Sequence, residues 1–245
     1  MIEIRNLYKS FGPITRPMRG VDLDVEDHRT VVVIGKSGSG KSVLLKSIVG
    51  LIEPDRGSIM VDDVQVVGAD ADTLQGIRHK VGYVFQSGAL FDSMTVGENL
   101  AFPLLKVRGM PMPEVRARVA HYLERVGLPE KVNRMPSELS GGQRKRIGVA
   151  RTIITEPDFL LYDEPTTGLD PQTTREISEL VVRLKEDLQI TSIVVTHDPY
   201  CLRIVADRVA FIDEGRIVFN GTQDEARRSD IEFLGIFFTL ERNSA

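Results

Sequence analysis

One uninterrupted passage limits what this chain can fold into. Val31-Val32-Val33-Ile34 runs into Gly35-Lys36-Ser37-Gly38-Ser39-Gly40-Lys41-Ser42, and an apolar helical stretch from Lys41 to Val49 follows before Gly50. Four β-branched residues in a row read as a strand buried on both faces. The glycines let the main chain bend with its N–H groups inward, at the positive end of the helix that follows. Such a strand–turn–helix is a cradle for phosphates. Lys41 would reach the β- and γ-phosphates and Ser42 would ligate Mg²⁺. In parallel α/β sheets, ligands sit beyond the carboxyl ends of the strands.

Two further apolar runs behave the same way. Phe159-Leu160-Leu161-Tyr162 ends in Asp163-Glu164, and Ser192-Ile193-Val194-Val195 ends in Thr196-His197. Beside a phosphate cradle, Asp163 would hold Mg²⁺ directly or through water. Glu164 would act as general base on an attacking water. His197, at the end of a core strand, would touch the γ-phosphate. His28, His79 and His121 have no such setting and read as surface residues.

The other elements follow from periodicity and caps. Pro171 to Leu188 predicts a helix with Asp170 as N-cap, Pro at the first turn, and Ile177, Leu180, Val181, Leu184 and Leu188 on one face. Arg208 to Ile212 and Arg216 to Phe219, joined by Asp213-Glu214-Gly215, predict an antiparallel pair. Residues 87–156 contain no strand-like run. There Val115, Val119, Tyr122, Leu123 and Val126 predict a helix from Glu114 to Val126, opened by Pro113 and closed by Gly127. We expect a nucleotide-binding core, 1–86 with 157–245, interrupted by a helical lobe, 87–156.

Composition narrows the function classes. A net charge of −4 leaves no basic footprint for nucleic acid. The single cysteine, Cys201, rules out a disulfide framework and is expected to be buried and inert. No apolar run approaches the roughly 20 residues of a membrane span, and the first residues carry no signal-peptide pattern, so no bilayer crossing is expected.

Leu139-Ser140-Gly141-Gly142-Gln143 opens a further helix. With the cradle, Gln86, Asp163-Glu164, Asp170 and His197 in that order, the chain resembles the ATPases of ABC transporters over nearly its whole length. The implied fold is α/β: a P-loop NTPase (RecA-like) core with an N-terminal antiparallel β segment and an inserted α-helical subdomain. The resemblance implies ATP and Mg²⁺ as ligands and a head-to-tail homodimer. Each ATP would lie between one copy's cradle and Ser140, Gly141, Gly142 and Gln143 of the other. It further implies that Gln86 senses Mg²⁺ and the γ-phosphate at a hinge, that Phe11 (with Tyr8 as competitor) stacks on adenine, and that Asp170 faces the second copy. Gly141 and Gly142 are expected to let backbone approach phosphate closely.

Phe85-Gln86-Ser87-Gly88-Ala89-Leu90-Phe91 and Met135-Pro136-Ser137-Glu138 are similar to the ATPases of Mla-type phospholipid transporters. That resemblance implies a membrane permease docking between Gln86 and Asn99, an MCE-domain protein in the complex, and a peripheral place on the cytoplasmic face of the inner membrane. Another ABC transporter, or a cell-division or regulatory ABC ATPase, would share every catalytic motif. Two positions depart from the common ABC pattern. Val43 closes the cradle where a hydroxyl residue is more usual, and Gly168 stands where many members have Ser or Ala. The tail, apolar at Ile231, Phe233, Leu234, Ile236, Phe237, Phe238 and Leu240, is expected to pack on its own domain, with a contact to the second copy as the alternative.

Overall fold

A computed structural model describes residues 1–106 and 109–243, with the side chains of 240–243 left out. The strands are β1 (Ile2–Phe11), β2 (Thr15–Val25), β3 (Thr30–Ile34), β4 (Arg56–Val61), β5 (Val64–Gln65), β6 (Val81–Val84), β7 (Phe159–Asp163), β8 (Thr191–Val195), β9 (Arg208–Asp213) and β10 (Arg216–Gly221). The α-helices are α1 (Lys41–Ile48), α2 (Ala71–Lys80), α3 (Val96–Lys106), α4 (Met112–Arg125), α5 (Gly141–Ile153), α6 (Pro171–Leu188), α7 (Pro199–Val205), α8 (Gln223–Arg227) and α9 (Glu232–Asn243).

Six strands form the central sheet in the order β10-β9-β3-β8-β7-β6, parallel except for the β9–β10 hairpin. Residues alternate between its faces with the period of two that a pleated strand imposes. Val32, Ile34, Leu160, Tyr162, Val194 and Phe211 join one core cluster, with the helices α3, α4, α5, α6 and α7. Val31, Val33, Phe159, Leu161, Ile193 and Ile212 join the other, under α1 and the antiparallel sheet β2-β1-β4-β5. Each buried branched side chain stabilises the fold by roughly 1.5–3 kcal/mol relative to exposure, so the β-branched runs drive both layers together.

The expected helix at 171–188 forms over those residues, and Asp170 accepts from the Thr173 N–H at 3.0 Å. The helix expected from Glu114 starts earlier, at Met112, because Pro113 takes a first-turn position and Pro111 supplies the cap. Gly127, at φ +71°, closes it as expected. Sequence reading did not single out β6 or α2. His79 is partly buried rather than exposed, and the His28 ring bonds the Gln189 carbonyl. Cys201 is fully buried.

The tail folds back on its own chain. Leu234, Phe237 and Phe238 are buried, and Phe233 stacks on Phe211 with ring centroids 4.6 Å apart. Ile236 stays 55% exposed. The Leu240 side chain lies outside the described residues. Among the described residues no helix is long and apolar enough to cross a membrane.

Candidate active site

At the carboxyl end of β3 the chain turns through Gly35 and reaches α1 at Gly40. Gly40 sits at φ +103°, and a Cβ there would lie 2.5 Å from the Pro17 carbonyl, so only glycine fits. The loop encloses Lys41, which is 8% exposed and donates to the Gly35 and Lys36 carbonyls at 2.8 and 3.1 Å. Burial lowers the Lys41 pKa, and Glu164 and then Asp163 oppose that shift. The ammonium is thus held among loop carbonyls, ready for anionic oxygens. Nearby, the Ser39 hydroxyl is buried and has no partner among the described residues.

Ser42 follows on the first turn of α1 and donates to Asp163 Oδ1 at 2.8 Å. Tyr83, on β6, donates to Asp163 Oδ2 at 2.8 Å. Burial, then the hydrogen bond to Asp163, raises the Tyr83 pKa far above its usual value, so the phenol remains the donor. A hydroxyl and a carboxylate side by side at a Gly-rich loop are the hard oxygen donors that Mg²⁺ takes beside phosphates. The poised Lys41, which lines the same cavity, fits the polyphosphate itself.

Glu164 comes next on the chain at φ +53°, a left-handed backbone that non-glycine residues adopt infrequently. Its N–H donates to the Val195 carbonyl at 2.9 Å. Its side chain is 14% exposed, meets His197 Nδ1 at 2.7 Å, and accepts from the Thr167 hydroxyl at 3.0 Å. Lys145, on α5, donates to the Thr167 and Glu164 carbonyls at 2.7 and 3.4 Å. The carboxylate is fixed at the edge of the cradle, with an imidazole beside it. This arrangement can orient a water and take its proton.

A cavity of ≈ 830 Å³ contains Phe11, Gly35, Lys36, Ser37, Gly38, Gly40, Lys41, Ser42, Val43, Gln86, Glu164 and His197. Phe11 borders it and is 48% exposed, whereas Tyr8 lies under the Arg56 guanidinium, 3.7 Å from its ring centroid, and takes no part. Thr15, Pro17, Phe233 and Phe237 complete the wall, and sequence reading named none of them for this site.

Ser140, Gly141, Gly142, Gln143 and Asp170 line no part of that cavity. They form a second cluster. Ser140 Oγ accepts from the Gln143 N–H at 3.2 Å while Gln143 Oε1 accepts from the Ser140 N–H at 3.0 Å, a reciprocal cap on α5. Asp170 caps α6 alongside. A Cβ on Gly142 would lie 2.3 Å from Thr173 Cγ2, so Gly142 is a packing glycine between the two helix starts. A Cβ on Gly141 would meet only ordinary contact, Leu169 at 3.6 Å. Of the two glycines expected to admit a phosphate, Gly141 alone leaves room beside its backbone.

Tyr83, Thr167 and Lys145 were also missed from sequence. Val81-Gly82-Tyr83-Val84, with two β-branched residues and an aromatic one, is the local signal for a strand at Tyr83; nothing local signals the other two.

The ABC transporter family pattern matches residues 18–167. The methionine import ATP-binding protein of Caulobacter vibrioides is 42% identical over 226 residues, 92% of this chain and 68% of that protein. A second methionine import ATP-binding protein, from Rhodococcus jostii, is 46% identical over 91% of this chain and 66% of its own length. The chain thus spans about two thirds of these relatives. Among solved structures, a dimeric bacterial ABC transporter cassette superposes with a TM-score of 0.83 at 33% identity, covering 91% of this chain and 98% of that one. A dimeric ATP-binding cassette in a post-hydrolysis state, bound to ADP and Pi, gives 0.82 at the same identity and the same coverage of both chains. These relatives are named for methionine import, and the expected phospholipid cargo and MCE partner find no support in them.

Proposed function

The chain belongs to the ABC transporter family, and from that premise we propose how its two residue clusters divide the work. It is an ATP-hydrolysing subunit of an ABC transporter. ATP occupies the cavity with its base on Phe11 and its phosphates among the N–H groups of 35–43. Lys41 turns from the loop carbonyls to the β- and γ-phosphates. Ser42, Asp163 and Gln86 would hold Mg²⁺, which would supply neutralising charge to the phosphates. Glu164 takes the proton of the attacking water, and His197 fixes Glu164 while reaching the γ-phosphate.

A single observation carries the rest of the reading: Ser140, Gly141 and Asp170 stand apart from the cradle of their own chain. Two copies placed head to tail bring each second cluster over the other copy's phosphates. The positive end of α5 then meets the γ-phosphate. Residues 87–156 act as the lobe that carries this cluster, and 1–86 with 157–245 as the core.

A hybrid assembly tests this. One copy carries Lys41→Ala and the other a disrupted Ser140. One composite site stays intact, so the hybrid traps about half the nucleotide of the unmodified assembly, while the Ser140 variant alone traps none. A hybrid that traps none refutes the shared site.

The permease docks between Gln86 and Asn99 and holds the subunit at the cytoplasmic face of the membrane. The relatives favour a small amino-acid cargo, taken up by import. The resemblances at 85–91, with Phe85 and Phe91 about two-fifths exposed, and at 135–138 support phospholipid cargo and an MCE partner. Co-purifying the complex and comparing ATP-dependent methionine uptake with lipid transfer in reconstituted membranes separates the two.

A further inference from the structure

Asp163 is 8% exposed, and each of its two oxygens accepts one neutral hydroxyl: Ser42 on Oδ1 and Tyr83 on Oδ2, both at 2.8 Å. Tyr83 pairs with Leu161 across the β6–β7 ladder, two residues before Asp163. The Tyr83 and Asp163 side chains therefore rise from the same face of neighbouring strands. The Tyr83 ring also packs on Phe85, with centroids 4.4 Å apart and planes tilted by 41°. Gln86, one residue further on, lines the nucleotide cavity.

We propose that Tyr83 is a positioning residue for the divalent cation. A carboxylate turns broadly about its last bond. Ser42 alone would pin one oxygen and leave the plane free to swing. The phenol pins the other oxygen from the side away from the cradle, which leaves Oδ1 and the Ser42 hydroxyl turned toward the phosphates. A phenol suits this place because it is neutral. A lysine or arginine there would cancel the charge that the cation needs. The Phe85 contact fixes the ring and so fixes the donor, and it ties the carboxylate to the strand that leads to Gln86.

The inference rests on the reading of Ser42 and Asp163 as the cation's partners, and the experiment keeps the two apart. Tyr83→Phe retains the ring and the Phe85 contact and removes only the hydroxyl. The full-length variant is titrated by calorimetry with a non-hydrolysable ATP analogue, first in excess chelator and then across a Mg²⁺ series. Groups that orient a metal ligand change metal affinity by about 10–100-fold when removed. The Mg²⁺ concentration giving half the gain in nucleotide affinity is therefore expected to rise at least about tenfold, while affinity in chelator stays as in the parent chain; the melting temperature without nucleotide falls, because Asp163 Oδ2 loses its partner, and a loss of stability alone would not move the Mg²⁺ series. A Mg²⁺ series that superimposes on that of the parent overturns the proposal. Asp163→Asn is run alongside. If it too leaves the Mg²⁺ series unmoved, the failure lies in the cation reading itself; if it shifts the series while Tyr83→Phe does not, the failure lies with Tyr83 alone.

Discussion

Asn99 offers the most demanding test of how the structure holds its proposed permease-docking segment. It is fully buried on the first turn of α3. Its Oδ1 accepts from the Phe91 N–H at 2.8 Å, and its Nδ2 donates to the carbonyls of Phe91, Met94 and Thr95 at 3.1, 3.1 and 3.0 Å. Two of those groups keep other partners: the Phe91 carbonyl accepts from the Met94 N–H at 3.2 Å and the Thr95 carbonyl from the Asn99 N–H at 2.9 Å. Asn99→Ala therefore strands chiefly the Phe91 N–H and the Met94 carbonyl. Each unpaired buried group costs about 1–3 kcal/mol, and water at the loop surface relieves part of it, so the loss should be about 3 kcal/mol. Asn99→Asp should be worse at pH 7, because a carboxylate would face three carbonyls. Those carbonyls raise the folded-state pKa of the introduced acid above the unfolded value of about 3.9. The folded chain then binds more protons than the unfolded one, so stability falls as pH rises through that window and returns as pH drops. Urea unfolding followed by circular dichroism at pH 7 and pH 5 measures both variants. A loss below about 1 kcal/mol for Asn99→Ala, or an Asn99→Asp protein as stable as Asn99→Ala at pH 7, refutes the reasoning.

Other expectations concern the reaction and the core. Glu164→Gln should bind ATP normally and hydrolyse it at least about a hundredfold more slowly in a phosphate-release assay; near-normal turnover would remove Glu164 from the role of base. Lys145→Met strips the donor from the Thr167 and Glu164 carbonyls, so kcat should fall by at least about tenfold, the lower end of the worth of one charge-assisted hydrogen bond, with KM little changed. Lys145→Gln should recover part of it, and equal rates in all three proteins would contradict the positioning argument. Burial raises the Cys201 thiol from 9.0 to about 12. Folded protein should resist thiol reagents at pH 8 and react once unfolded in urea. Above pH 9 the unfolded chain loses a proton that the folded chain keeps, so this thiol's contribution to stability declines between pH 9 and about 12; rapid labelling of folded protein would place Cys201 at the surface.

Local order along the chain was enough for β3, β7 and β8, the Gly-rich turn at 35–42, the Asp163-Glu164 pair at the end of β7, the His197 turn and α6 with its Asp170 cap. Each of these is announced by periodicity, a cap or a Gly-rich turn within a few residues. Tertiary structure decided the finer chemistry. The Tyr83–Asp163 contact joins residues 80 positions apart, and neither announces the other. Lys145 and Asn99 spend their donors on backbone carbonyls, which every residue type carries, so no side-chain pattern marks their partners. Gly141 and Gly142 are neighbours of one type, and only the packing of α5 against Thr173 makes one a spacer and leaves the other open. Patterning specifies which faces are buried; which polar atoms then meet depends on how those faces come together in space.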